Sequence, residues 1–358
     1  MIRRDQLWSG GGPRRTQAKR RLADVLLPRR FFRRNAAAVP PVPMFMFHQP
    51  MPDSWERLCR RIDRAGIATV PSTALLDGDG GADAGVCLTF DDGWSSVWSI
   101  AFPIVRRFGL RIVVFLLPAL LEESDELRAT LEDGAEAAEL AARDRGPRCY
   151  LTWGEVRAMH ESGLVDVQSH SLHHGVVFVE DRVIGETVAG ADLPLPGRVP
   201  LVLSRNGFDQ RTRSLPAGSP LHPIAPALAA AQRYLPPDGA GPARFESDAE
   251  RSARLRQDIA EAKALIEARL PSHRVRALAP PWSAMHPDLP GIAAEVGYEL
   301  IAMGYPFDPP ASAAPIPIHP RLKGDAVWPL LDGPLGGALA MLRARRRTAE
   351  WIRGGGIP

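Results

Sequence analysis

Val86-Cys87-Leu88-Thr89-Phe90-Asp91-Asp92-Gly93-Trp94 is a run of strand-forming, mostly apolar residues that ends in two adjacent carboxylates and a glycine. Such a run reads as a buried strand stopping at a sharp loop. In barrels of alternating strands and helices, the carboxyl ends of the strands are where sites are assembled, because side chains from several strands converge there. Adjacent residues diverge in direction, so Asp91 and Asp92 are free to do different work. Taken alone, the stretch also fits an ordinary capping turn.

A second stretch shifts that balance. Val165-Asp166-Val167-Gln168-Ser169-His170-Ser171-Leu172-His173-His174 is again a short alternating strand running into polar residues, here imidazoles. His170 and His174 are four apart, a spacing that puts both on one face of a helical turn. Two histidines and one carboxylate suit a divalent metal such as zinc and leave positions open for water. Ser171 stands where a zincin helix would carry its glutamate, so a metalloprotease of that type is not expected and the base must come from elsewhere. Asp91 is the obvious supplier. Without the two aspartates, a histidine pair would read as surface or capping residues.

Together these stretches resemble the NodB-type polysaccharide deacetylases, carbohydrate esterase family four. The family's T-F-D-D-G stands unchanged at residues 89–93 and its H-[ST]-x-x-H at residues 170–174. The resemblance covers about residues 43–325 and implies an α/β fold, a deformed (β/α) barrel of the NodB homology type with long inserted loops. It implies Asp91 as catalytic base, and Asp92, His170 and His174 as ligands of a divalent metal, zinc first. The third stretch, Leu278-Ala279-Pro280-Pro281-Trp282-Ser283, is looser: alanine, tryptophan and serine occupy the places of the family's arginine, tyrosine and glycine. By analogy the backbone N–H of Trp282 is an oxyanion donor, a role that needs backbone geometry rather than a given side chain. The missing arginine would orient Asp91, and Arg276 or an arginine of the later insert is the expected substitute. In the last strand, Ile316-Pro317-Ile318-His319-Pro320-Arg321, His319 fits the general acid of an L-x-H ending. The other register takes Pro320-Arg321-Leu322 as a P-R-[IL] ending, leaves His319 a bystander, and gives the acid role to His48 or to water.

Composition is that of an ordinary soluble chain: 358 residues, 45% hydrophobic, 24% charged, enough for one large core with extensions. A net charge of +3 gives no overall nucleic-acid character. Its distribution is uneven. Residues 1–42 carry Arg3, Arg4, Arg14, Arg15, Lys19, Arg20, Arg21, Arg29, Arg30, Arg33 and Arg34 against Asp5 and Asp24, a basic and flexible arm. It has no apolar run long enough for a signal-peptide core or a membrane span. Arg29-Arg30-Phe31-Phe32 only faintly resembles a twin-arginine signal, being followed by alanine and proline. The expected location is cytoplasmic, the arm being either a solvated tail or a contact with anionic lipid at the inner membrane face. The tail, residues 326–358, is basic and helical in pattern from Arg343 to Arg353 and suits the same surface. Cys59, Cys87 and Cys149 are unpaired in pattern and fit a reducing compartment.

Along the chain, residues 44–48 read as the first core strand, with His48 near the cleft, and residues 54–66 as a helix with Trp55, Leu58, Cys59 and Ile62 on one stripe. Residues 97–108 read as a helix interrupted by Pro103, and residues 110–117 as a buried strand. Within the insert, 122–148, the alanine- and acid-rich residues 122–144 read as an exposed helix, and Thr152 as the start of a boxed helix. Residues 180–250 lose periodicity and collect proline, glycine and Arg198, Arg205, Arg211 and Arg213, the pattern of a basic lid over a site for anionic sugar or pyrophosphate groups. Helical order returns at residues 252–270. The reaction expected is removal of an N-acetyl group from an amino sugar of a polysaccharide or glycolipid precursor, as in exopolysaccharide assembly. The alternatives are a catalytically weak glycan-binding or membrane-associated assembly factor, and a sugar O-deacetylase or deformylase.

Overall fold

A computed structural model describes residues 42–76, 85–186, 218–237, 241–304, 314–328 and 331. Most of the arm and the tail, and Arg198, Arg205, Arg211 and Arg213, lie outside these. Seven strands, β1 (Met44–Phe47), β2 (Cys87–Asp92), β3 (Ile112–Leu116), β4 (Val165–Ser169), β5 (Ala277–Leu278), β6 (Leu300–Gly304) and β7 (Ile318–Lys323), close into a barrel. Every neighbouring pair is parallel and in chain order, with β7 returning to β1 through Met44 beside Arg321. The expected α/β barrel is therefore the observed one.

Period-two alternation divides each strand between two apolar layers. Met44, Cys87, Val113, Phe115, Ala277, Ala279, Leu300 and Ala302 form the cluster inside the barrel. Phe45, Leu88, Phe90, Ile112, Val114, Val167, Leu278 and Ile301 join the larger cluster beneath the helices.

α1 (Pro52–Arg64) starts at proline, which loses nothing at a first helical position, and buries Trp55, Leu58, Cys59 and Ile62 against the barrel. Its Trp55 ring meets Phe90 edge-on at 4.8 Å. Val97–Ala101 is a wide helical turn that runs into α2 (Phe102–Phe108), with Pro103 in its first turn, and Gly109 at φ 61° ends it. α4 (Trp153–Glu161) has the expected reciprocal box between Thr152 and Glu155. α5 (Asp248–Arg269) is boxed by Ser247 and Glu250, buries Leu255, Ile259, Ala262 and Ile266, and packs on α6 (Leu289–Val296).

The 122–148 insert departs from the helical reading. Only a single turn at Leu131–Asp133 and α3 (Ala137–Arg143) are helical, and the rest is held down by buried Arg128 and by buried Asp144, which accepts from Ser95 and Ser96. Arg128 donates from Nε and Nη2 to the two oxygens of Glu155 at 2.7 and 2.6 Å, and to the Tyr150 and Arg148 carbonyls at 2.8 and 3.0 Å. A two-pronged, desolvated pair of this kind outweighs the helix preference of alanine and glutamate. In the 180–250 insertion, the described parts are stitched to the segment after His174: Val176–Phe178 pairs with Ile224–Pro226, and Gly185–Glu186 with Pro220–Leu221. No helix among the described residues is long and apolar enough to cross a membrane.

Candidate metal and catalytic centre

Three strand ends build the site, and the backbone is strained at each. Of six non-glycine residues with positive φ among the described residues, five are here: Asp92 at 73°, Ser171 at 81°, His174 at 58°, Trp282 at 54° and Ser283 at 53°. Such conformations cost about 1–3 kcal/mol each and persist where the surroundings over-determine them. At the end of β2 the strain turns Asp92 away from the direction of Asp91, so the two carboxylates have different partners.

Asp92 gives one oxygen to the protein and one to the cavity. Its Oδ2 accepts the indole N–H of Trp94 at 3.0 Å, while Oδ1 is buried without a hydrogen-bond partner. His170 Nε2 lies 3.4 Å and His174 Nε2 3.8 Å from that Oδ1. One ligand atom from each of the three buried residues falls within 4.8 Å of the others. The His170 ring is oriented by Nδ1, 2.6 Å from the Ala279 carbonyl, which fixes the tautomer so that the Nε2 lone pair faces Asp92. Burial pushes His174 down to about 3, so its imidazole is neutral and able to ligate. Burial acts to raise Asp92, but the imidazoles of His170 and His174 override it and hold the carboxyl well below its ordinary value. An orphaned buried carboxylate oxygen facing two imidazole nitrogens fits a divalent cation, and oxygen with two nitrogens suits zinc.

Asp91 is held differently. Its Oδ1 accepts from Arg321 Nη1 at 2.6 Å, a buried pair, while Oδ2 faces the centre, 4.0 Å from His170 Nε2. Burial acts against ionisation, and Arg321 first, then His170 and His48, override it, so Asp91 is ionised. The Arg321 guanidinium lies over the Phe115 ring at 5.1 Å. Arg321 is therefore the cation beside the base, where Arg276 or an insert arginine was expected. Arg276 instead pairs with Glu299 at 2.7 Å, at the amino-terminal end of β5. Sequence did offer a sign of Arg321, since the other register of the last strand puts an arginine two positions from an inward neighbour, and an inward arginine needs a buried partner.

His48 follows β1, whose register sets Phe47 beside Phe90 and so brings His48 level with Asp91. It is half-buried, and its charge is felt by Asp91, Asp92 and His174. His319 is not among these groups. It lies two residues before Arg321 on the inner face of β7, with Nδ1 2.9 Å from the Pro320 carbonyl, and burial pushes it down to about 4. Burial thus favours the neutral imidazole, against the expectation of a general acid held protonated. Trp282 stands at the tip of the Pro281–Ser283 turn, and its ring meets His174 edge-on at 3.9 Å between centroids.

Residues 79–181 match the model of the polysaccharide deacetylase family, a span that contains both the paired aspartates and His170 and His174. No curated protein matches the sequence. Among solved structures, the chain is similar to the BpsB deacetylase domain from Bordetella bronchiseptica, at 22% identity over 79% of this chain and 96% of that one, TM-score 0.49. It is also similar to a de-N-acetylase from Aggregatibacter actinomycetemcomitans, at 17% identity over 78% and 94%, TM-score 0.48. IcaB from Ammonifex degensii matches at 15% identity over 80% and 96%, TM-score 0.47.

Proposed function

We propose that this chain is a polysaccharide deacetylase of the NodB type, a metal-dependent hydrolase removing an N-acetyl group from an amino sugar of a glycan or glycolipid precursor. The observation that supports this most is the division of labour between adjacent aspartates: Asp92 turns its orphaned oxygen to two imidazoles, while Asp91 is ionised, pinned at one oxygen and open at the other. A glycan-binding barrel has no use for that pairing.

Asp92, His170 and His174 would hold the cation. When bound, a divalent ion such as zinc supplies Lewis acidity toward the acetyl carbonyl and acidifies a water. Asp91 Oδ2 is placed to take the proton of the attacking water as the water oxygen adds to the acetyl carbon. The Trp282 backbone N–H is assigned to the oxyanion that develops, and the Trp282 ring walls the cleft beside His174. The carbon–nitrogen bond then breaks as the leaving nitrogen takes a proton, giving acetate and a free amine. His48 is the donor that position favours, following β1 level with Asp91, whereas His319 is buried, pushed toward its neutral form and bonded to backbone carbonyls.

Substitution of the two aspartates tests the reading. Asp91→Asn should keep zinc affinity within a few-fold and lose acetate release by about 10²–10⁴-fold, because an amide accepts no proton. Asp92→Asn should lose both. Unchanged acetate release by Asp91→Asn would remove the mechanism.

A further inference from the structure

We propose that Ser283 is a positioning residue whose hydroxyl locks the Trp282 turn to the end of β6, an assignment that rests on the deacetylase reading above. Trp282 and Ser283 both sit in the left-handed region, at φ 54° and 53°, which neither side chain favours. Two such residues in a row persist only where the surroundings over-determine them. Their place makes the strain matter, because the Trp282 ring stands against His174 and its backbone N–H is assigned to the oxyanion.

The turn has few backbone donors with which to grip the barrel. Pro280 and Pro281 have no N–H, and the N–H groups of Ser283 and Ala284 are spent inside the turn, on the Pro280 and Pro281 carbonyls at 3.1 Å each. A side chain supplies the grip instead: Ser283 Oγ accepts the Gly304 N–H at 3.0 Å. Gly304 ends β6 and lies beside Arg321 in the ladder, so the bond is made at the level of the barrel where Arg321 meets Asp91. So close an approach needs glycine on the β6 side. A Cβ on Gly304 would overlap Ser283 Oγ and stand 3.1 Å from Ser283 Cβ, whereas the next neighbour, Met46 Cε, would be at an ordinary 3.8 Å. Ser283 and Gly304 therefore fit as a pair, the hydroxyl filling the space where a side chain on Gly304 would stand.

Ser283→Gly, Gly304→Ala and the double variant test this in the full chain, read by acetate release, zinc affinity and thermal midpoint. Ser283→Gly takes the left-handed backbone freely and removes only the clasp, so its Tm should stay close to that of wild type. Misplacing a reacting group by about an ångström costs on the order of a hundredfold in rate, so the released turn should lower kcat by about ten- to a hundredfold. KM and zinc affinity should stay within a few-fold, because Asp92, His170 and His174 are untouched. Loss of kcat without loss of Tm separates positioning from stability. Gly304→Ala should lower kcat as much and lower Tm as well, because its methyl strikes the hydroxyl. With Ser283→Gly already in place the methyl has room, so adding Gly304→Ala should cost no further kcat or Tm. Three results would overturn the assignment: kcat of Ser283→Gly within threefold of wild type, zinc affinity falling in step with kcat, or Gly304→Ala equally costly in both backgrounds. A folded, zinc-binding wild type that releases no acetate would sink the deacetylase reading and this assignment with it, while an active wild type with an unaffected Ser283→Gly variant would sink the assignment alone.

Discussion

His319 and Arg321 share the inner face of β7, and the two-residue step between them sets their different fates. Arg321 reaches the mouth and finds Asp91, whereas the His319 ring stays beside its own strand, buried and pushed down to about 4. His319→Ala should therefore leave kcat within a few-fold of wild type. His48→Ala should cost about 10²–10⁴-fold, the usual worth of a lost general acid, with zinc affinity intact. Steady-state rates of the two variants decide between them, and the reverse order would return the acid role to His319. The convergence of Asp92, His170 and His174 was legible in sequence because His170 and His174 are four apart on one turn and Asp92 belongs to a five-residue pattern. Arg321 was not legible as the partner of Asp91, because no local pattern announces a contact across 230 positions; only barrel closure brings β7 next to β1 and β2.

At the scale of elements, α5 does more than cover the barrel. Its Asp258 accepts the N–H of Leu172 at 3.0 Å, inside the turn that carries His170 and His174. The other Asp258 oxygen is buried without a partner, and burial pushes the carboxyl up from 3.8 to about 6. The sign follows from that direction: stability is full below about 4, and is lost as pH rises through 6 and the native state must bury a charge. Asp258→Asn keeps an acceptor for Leu172 and removes that charge. Between pH 5 and pH 8 its urea-unfolding free energy, relative to wild type, should move in the variant's favour by about 1 kcal/mol. No movement with pH would mean that Asp258 does not titrate as burial dictates. The helices themselves were readable from stripe and cap, as in the Thr152–Glu155 box. The 122–148 insert was misread as an exposed helix because its composition is helical while its structure is dictated by Arg128 and Glu155, 27 positions apart.

Across the whole molecule, a cation held by Asp92, His170 and His174 would link the ends of β2 and β4 and so couple binding to folding. At zinc a hundredfold above its Kd, the native state gains about 2.7 kcal/mol, which for a domain of this size raises Tm by about 5–10 °C. Calorimetry with zinc and with a chelator should show that rise in wild type and none in Asp92→Asn. A second whole-chain expectation comes from the arm, whose eleven basic residues between Arg3 and Arg34 face only Asp5 and Asp24. We propose that the full chain sediments with vesicles containing phosphatidylserine and is released by salt, since attraction of this kind is screened within about 10 Å at 0.1 M. Equal binding to neutral vesicles would refute it.

The central claim is that Asp91 and a cation held by Asp92, His170 and His174 together hydrolyse a sugar N-acetyl group. Mass spectrometry of a panel of N-acetylhexosamine oligosaccharides, incubated with zinc-loaded protein, tests it most directly. The account predicts products lighter by one acetyl group, formed by wild type, absent with chelator, and absent with Asp91→Asn. Acetyl loss that persists in Asp91→Asn, or a panel left intact by a folded, zinc-bound wild type, would contradict it.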